Sequence, residues 1–368
     1  MTPLRRASGA VLALLALLIL YLFFWPVPID PVAWDAPANV GLVDPFEPNN
    51  RLRRARLIDI SPHAGPEDIA GGPDGLIYTG TADGKILRMW SNGGGMEVFA
   101  DAGGRPLGLE FDPAGNLIVA NAYLGLQQIA PDGAVTVLTD SFDGEPIAYA
   151  DDVAVARDGM IYFSDASAKF GALKTGGSYE ASLLDIMEHG GHGRVFRFDR
   201  SSGATTLVMD GLNFANGVAV SDDQSYLLVN ETGTYRVLKH WLNGPDAGET
   251  EVVIDNLPGF PDNINNGRAG KFWIGLVAPR NALLDNMSGM PWMRRLVQRL
   301  PAAVRPKAVP SSHVFAINGN GEVLMNLQDT SARLPALTGV YESRNAIWLS
   351  SLFGTNTARL DKQDLANP

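Results

Sequence analysis

Residues 66–89 read PEDIAGGPDGLIYTGTADGKILRM, and residues 106–129 read PLGLEFDPAGNLIVANAYLGLQQI. In each, a short run leads into a Gly-, Asp- or Asn-bearing turn such as Pro73-Asp74-Gly75, and a β-branched alternating run follows. That is the pattern of antiparallel strands joined by tight turns. The unit returns as ADDVAVARDGMIYFSDAS from Ala150, ANGVAVSDDQSYLLVNETGTYRVLKHW from Ala215, PDNINNGRAGKFWIGL from Pro261 and TGVYESRNAIWLSSLFGTNTARL from Thr338. Uninterrupted copies lie about 40 to 45 residues apart, the period of a four-stranded propeller blade. Insertions at Lys169–Gly193 and Leu283–Lys307 explain the longer gaps and leave about six copies. The spacing therefore predicts an all-β, six-bladed β-propeller over residues 46–368, with the first strand of each blade lining a central channel. Leu52–Ile60 is placed to supply the missing strand of the last blade, which would hide both sheet edges. A β-sandwich does not repeat one signature at this spacing.

Composition agrees with one large turn-rich domain. Of 368 residues, 46% are hydrophobic and 19% charged, with 40 Gly and 24 Pro. A net charge of −11 argues against nucleic acid as a partner, since phosphate neutralisation needs clustered cations. Cysteine is absent, which excludes disulfides, thiolate nucleophiles and thiolate metal sites.

The N-terminus departs from this pattern. Residues 10–27, AVLALLALLILYLFFWPV, form an uncharged apolar run of roughly the length needed to span a bilayer as a helix. Arg5 and Arg6 precede it in a tail of residues 1–9. The positive-inside rule then places the N-terminus in the cytoplasm and the propeller on the exported side. Bulky Tyr21, Phe23, Phe24 and Trp25, with no small-x-small site after them, favour an uncleaved single-pass signal anchor over a cleaved leader. Residues 28–45, which include Pro28, Pro31, Pro37 and Pro45, read as an extended linker.

Equivalent positions just before the inner strands hold Glu67, Asp151 with Asp152, Asn216, and Asp262 with Asn263. If the repeats are equivalent, these oxygen-bearing side chains converge on one end of the channel. Carboxylates and amides without His or Cys suit Ca2+, which takes six to eight oxygens, and not zinc or copper. Each pair taken alone is also an ordinary strand-capping turn. Glu67 is the exception, because Glu is a poor turn former and belongs on the surface unless it has a task.

These residues lie in stretches that resemble the strictosidine synthase-like family, and within it a membrane-anchored branch. The matching stretches are GPEDIA, YTGTADGKILR, GRPLGLEF, ADDVAV with IYFSDAS, GRVFRFD, FANGVAVS with VNET and RVLKHWLNG, and LPGFPDNIN with GKFWIGL, running in order through about residues 46–360. The PWMRRLVQRLP insertion is similar to one in that branch. The family is related to six-bladed calcium-dependent hydrolases, the paraoxonases and gluconolactonases. The resemblance implies that Glu67, Asn216, Asp262 and Asn263 are calcium ligands, with Asp151 where relatives usually carry Asn and Asp152 behind the site. It also makes Asp262 the matching general base or nucleophile. The chain departs from the family at three places. Thr338 stands where the Pictet–Spengler enzyme needs a glutamate, which makes strictosidine synthesis improbable. Leu107 or Gly108 stands where paraoxonases carry a water-activating His. The cysteine pair of the anchored relatives is missing.

Two functions follow as expectations. One is a calcium-dependent hydrolase of small-molecule esters or lactones, in which the cation polarises the carbonyl and Asp262 activates water. The other is a non-catalytic, ligand-binding propeller tethered to the membrane, in which calcium only ties the blades together. His189 and His192 flank glycines in an insertion and read as loop residues. In the second insertion, Trp292, Leu296, Val297 and Leu300 read as one helical face and Arg294, Arg295 and Arg299 as another. This amphipathic helix would pack on the rim, cover the channel or touch the membrane surface.

Overall fold

The turn signals become hairpins, and the hairpins become blades. The computed structural model describes the backbone of residues 3–365 and the side chains of residues 10–365. Among the described residues, six four-stranded antiparallel sheets follow one another around a ring, with one additional two-residue hairpin at 141–146. The inner strands are Ile69–Gly71, Pro106–Phe111, Ala150–Val155, Ala215–Val220, Gly259–Asn266 and Leu337–Glu342. The second strands, such as Leu117–Asn121 and Ile161–Asp165, are buried on both faces, which is why they read as apolar runs. Outer strands such as Val135–Thr139 are exposed or half-buried and mix polar residues with apolar ones. Closure occurs as expected. Arg56–Asp59 pairs with Asn356–Asp361 and becomes the outer strand of the sixth blade, so the start and end of the ring share one sheet.

The core is divided among the seams between blades. Ile118, Leu126, Val153, Phe163 and Phe196 fill the seam between the second and third blades, and Trp273, Val314, Val340 and Leu349 fill that between the fifth and sixth. Glu342 bridges this last seam. Its carboxylate accepts from Lys362 Nζ at 2.6 Å, Trp273 Nε1 at 2.8 Å, Lys271 Nζ at 2.9 Å and the Arg268 amide at 3.0 Å. Burial alone would raise its pKa, but these donors, Lys362 foremost, hold it down to about 2. A depressed carboxylate stabilises the fold above its unfolded pKa near 4.5 and loses that contribution as pH falls towards 2. Discounted for its partial solvation, the contribution is roughly 2 kcal/mol. Glu342→Gln is therefore expected to lower Tm at pH 7 and to flatten the wild type's fall in Tm between pH 4.5 and 2, as calorimetry would show.

Helical pieces sit outside the blade strands, and three regions of them lie near the cavity. Helix α1 spans Pro3–Phe24. The insertion in the third blade carries α2 (Ala172–Thr175) and α3 (Ser178–Glu188), and that in the fifth carries α4 (Ala282–Asn286) and α5 (Pro291–Arg299). From Ala10 onward α1 leaves its Leu, Ile and Phe side chains almost uniformly exposed. Among the described residues, no helix is long and apolar enough to cross a membrane. The predicted span of 10–27 stops being helical at Phe24, because Pro26 and Pro28 follow.

The proline-rich segment is extended, as expected, but it is not a free spacer. Ile29 is buried, the Val32 amide donates to Glu188 O at 2.9 Å, and the Trp34 amide donates to Ser288 O at 3.2 Å. Trp34 also stacks on His189 with ring centroids 4.0 Å apart. The segment is a strap that ties α1 to both insertions. Helix α5 departs from the expected faces at two positions, with Arg294 fully buried and Trp292 53% exposed, while Val297 is buried as expected.

Candidate functional site

Five of the six inner strands enter their blades through the same irregularity. Ala150 pairs with Asp165 but Val153 pairs with Phe163, so two residues, 151 and 152, lie opposite one. The same extra residue occurs between Pro106 and Leu109, Ala215 and Val218, Pro261 and Ile264, and Leu337 and Val340. A bulge of this kind re-aims side chains, and a ring of bulges aims a ring of side chains at one point. The first bulge residues are Leu107, Asp151, Asn216, Asp262 and Thr338, with Glu67 in register in the first blade. Five of the six, all but Thr338, form the floor of a cavity of about 680 Å3.

The second bulge residues alternate. Oxygen-bearing Asp68, Asp152 and Asn263 come from the first, third and fifth blades, and Gly108, Gly217 and Gly339 from the others. The alternation is steric. A Cβ on Gly108 would lie 2.6 Å from Asp152 Cα, and one on Gly217 would lie 2.6 Å from the Asp262 carbonyl oxygen. Each glycine makes room for its larger neighbour, whose carboxylate then pins the adjoining blade. Asp152 Oδ2 accepts from the Val218 amide at 2.9 Å, and Asp68 Oδ2 accepts from the Leu109 amide at 2.8 Å.

The structure thus brings the expected residues together, with one adjustment of level. Glu67, Asp151, Asn216 and Asp262 share the floor. Asn263 sits in the second tier and is fully buried, but its amide reaches up to Glu67 Oε2 at 3.2 Å. Asp152 lies beneath the floor, as expected for a residue behind the site, with its carboxylate spent on backbone amides. Asn216 Nδ2 donates to Asp262 Oδ1 at 2.6 Å. Glu67 is held through its carbonyl, which accepts from Thr338 Oγ1 and, at 2.8 Å, from Ser350 Oγ.

Electrostatics leaves the cluster short of positive charge. Burial first, then Asp262 and Asp151, pushes the Glu67 carboxyl well above its usual range. Burial and Asp262 do the same to Asp151. Burial lifts Asp262 to about 7 against the opposing hydrogen bond from Asn216. Arg105, itself buried and donating to Gly65 O at 2.7 Å, offsets part of the repulsion on Glu67 and Asp151 without pairing directly. Among the described residues, no three His, Cys, Asp or Glu side chains form a metal site by themselves. The oxygens that could complete one are present. Asp151 Oδ2, Asn216 Oδ1 and Asn263 Oδ1 are buried and have no hydrogen-bond partner, a state that costs about 1–3 kcal/mol each unless something else satisfies them. Unpartnered neutral and anionic oxygens beside mutually repelling carboxyls fit a hard divalent cation such as Ca2+.

Above the floor the cavity is apolar, walled by Leu184, Ile186 and Met187 of α3, Leu284 of α4, and Phe214 and Phe260. Among the described residues, no histidine lines it. His189 and His192 are structural rather than free loop residues. His189 caps α3, and burial beside Arg294 and Arg236 lowers its pKa to about 3. His192 lies 2.6 Å from Glu188. The sequence reading missed Asp68, Arg105 and Tyr149. Asp68 was legible as the partner of Glu67 in a Glu-Asp, Asp-Asp, Asp-Asn series, whereas a lone arginine ahead of Pro106 carries no such signal.

Comparison with known proteins agrees with the fold. Residues 151–245 match the strictosidine synthase family model, and residues 44–89 match the N-terminal model of strictosidine synthase-like proteins. Among curated proteins, the chain is similar to Protein STRICTOSIDINE SYNTHASE-LIKE 10 of Arabidopsis thaliana, 33% identical over 81% of this chain and 85% of that one. It is also similar to the adipocyte plasma membrane-associated protein of Salmo salar, 32% identical over 96% of this chain and 88% of that one. Among solved structures it shares its fold with a gluconolactonase from Xanthomonas campestris, with a TM-score of 0.60, 17% identity, and coverage of 83% of this chain and 89% of that one. The calcium-binding protein regucalcin from Agrobacterium tumefaciens has a TM-score of 0.58 at 13% identity, covering 83% and 92%.

Proposed function

The chain belongs to the strictosidine synthase-like family, and from that premise we propose that it is a membrane-anchored, calcium-dependent hydrolase of esters or lactones. One observation carries the reading. Buried carboxyls from three blades meet unpartnered amide and carboxylate oxygens at the floor of an apolar cavity. Glu67, Asp151, Asn216, Asp262 and Asn263 would hold the cation. When bound, Ca2+ supplies a positive charge that polarises an ester or lactone carbonyl and stabilises developing oxyanion charge. The remaining work belongs to the chain. Asp262, oriented by Asn216, accepts the proton of an incoming water. The apolar walls from α3 and α4 exclude bulk water and grip the acyl part of the substrate. Strictosidine synthesis is not part of this proposal. Thr338 is fully buried with its hydroxyl committed to the Glu67 carbonyl, so no carboxylate stands there.

The absence of histidine from the described cavity lining favours one second reading, a non-catalytic propeller that binds its ligand beside a structural calcium. Calcium titration of the full chain with a panel of aryl esters and lactones separates the two. The hydrolase reading expects turnover that appears with calcium and vanishes on chelation. A calcium-dependent rise in Tm with no turnover on any substrate would leave only the structural-calcium reading.

For α1 we propose a single-pass anchor with the N-terminus cytoplasmic and the propeller exported. The uncharged apolar run at residues 10–27 supports this reading. Arg5 and Arg6 supply the inside charge. The name of the similar adipocyte plasma membrane-associated protein agrees with a membrane setting.

A further inference from the structure

The inner strands begin at the acidic floor, so the connection between the second and third strands of every blade lies at that same end of the ring. Both long insertions are such connections, at 166–192 and 280–311, and so is the loop that holds Phe353. All three contribute to the cavity wall. This end also collects exposed apolar side chains: Leu173 is 65% exposed, Trp292 53%, Val304 64%, Val309 57% and Phe353 42%. On the blade flanks the exposed apolar residues are instead spread over separate outer strands, as with Val98, Val137 and Val252.

Charge is distributed unevenly in the same sense. The chain carries −11 overall, yet in residues 280–311 Arg295, Arg299, Arg305 and Lys307 reach the surface, while the single acid there, Asp285, is paired with buried Arg280. Apolar side chains set among cations are the composition of a segment that lies on an anionic lipid surface. Helix α1 ends on this rim. Arg299 of α5 donates to Trp25 O at 2.6 Å and to Leu22 O at 3.0 Å, and the Tyr21 hydroxyl donates to Arg299 O at 2.9 Å. Four residues beyond α1, Pro28 lines the cavity.

We infer that the rim formed by α2, α5 and the 302–309 segment docks on the bilayer surface and that the cavity opens towards it, so that the ligand is a membrane-resident ester or lactone with a long apolar chain. The nature of the ligand rests on the hydrolase reading above, whereas the docking does not. Because the chain has no cysteine, single nitroxide labels can be placed without background. The full chain would be reconstituted in phosphatidylcholine–phosphatidylserine nanodiscs with labels at Trp292→Cys, Val304→Cys, Leu15→Cys in α1 and Ser202→Cys on a hairpin at the far end. Labels at 292 and 304 are expected to be oxygen-accessible and sheltered from a polar relaxant, and the label at 202 the reverse. Aqueous behaviour at 292 and 304 with residue 15 in lipid would overturn docking and leave the anchor standing. Aqueous behaviour at all four would remove both. Lipid contact at 292 and 304 but not at 15 would uphold docking and remove the anchor. In parallel, Trp292→Asp with Val304→Asp is expected to lower turnover of a long-chain lactone carried in the discs several-fold and to leave a soluble phenyl ester unaffected. Equal loss on both substrates would overturn delivery from the bilayer, and no turnover of either by the wild type would overturn the ligand assignment together with the hydrolase reading.

Discussion

Asp262→Asn is expected to be at least as stable as the wild type without calcium and clearly less stable with it, while ester or lactone turnover falls about 10²- to 10⁴-fold. The crossover follows from the surroundings of Asp262. Its carboxyl is buried, and it is itself a leading cause of the raised pKa of Glu67 and Asp151. An amide there removes one charge from the cluster but keeps a carbonyl oxygen that can accept from Asn216. Relief of that repulsion stabilises the calcium-free variant by about 1–2 kcal/mol. With calcium present the sign reverses. A cation at a hundred times its Kd stabilises the wild type by about 2.7 kcal/mol, and a weakened ligand set forfeits much of this. Calorimetry with and without chelator checks the stability half, and initial rates on phenyl acetate and a lactone check the other. A wild type whose Tm ignores calcium would sink both functional readings. Crossover without measurable turnover in any variant would leave the cation a structural role alone.

The blades were legible because every blade spends the same turn residues at the same places, so one period runs through the chain. The floor was legible for the same reason. A bulge repeated at one offset puts residues 151, 216 and 262 at one height, with Glu67 at the matching position of the first blade, and the oxygen chemistry of those residues is then visible in the alignment of the repeats with each other. What was not legible depended on contacts made between distant segments. Asn263 read as a neighbour of Asp262 in the same ring, but successive bulge residues point to different tiers, and the tiers differ in whether a glycine or a carboxylate fills them. Prolines at 28–45 forbid a helix without saying whether the extended chain is free, and only Ile29 and Trp34 hinted that it packs down. Arg294 was grouped with Arg295 and Arg299 as a solvent face. Sequence periodicity gives the relative faces of a helix, and it cannot show that the neighbouring surface is a set of backbone carbonyls in search of a donor.

That misreading leads to the largest effect expected away from the floor. Arg294 is fully exposed to nothing but protein, and no carboxylate pairs with it. Its guanidinium donates to Met187 O at 3.1 Å, Glu188 O at 3.3 Å, Ser288 O at 3.0 Å and Val32 O. One side chain therefore joins the end of α3, the segment after α4 and the strap, the three pieces that frame the cavity. Arg294→Met fills similar volume and donates nothing, so the Met187 and Val32 carbonyls lose this donor and those of Glu188 and Ser288 keep only the strap amides, at a cost of about 3–5 kcal/mol. The loss is expected to be local, because its four acceptors lie in the insertions and the strap and not in the blade strands. Hydrogen exchange should quicken in residues 180–190 and 286–298 and stay slow in the second strands of the blades. Arg294→Lys is not expected to rescue it, since a single ammonium cannot reproduce a planar fork spread over four acceptors. Because Ile186, Met187 and Val297 wall the cavity, loosening should raise KM for apolar esters more than it lowers kcat. Unchanged exchange in α3 and α5 of the methionine variant would show that the frame is held by other contacts, and that the buried cation is not its keystone.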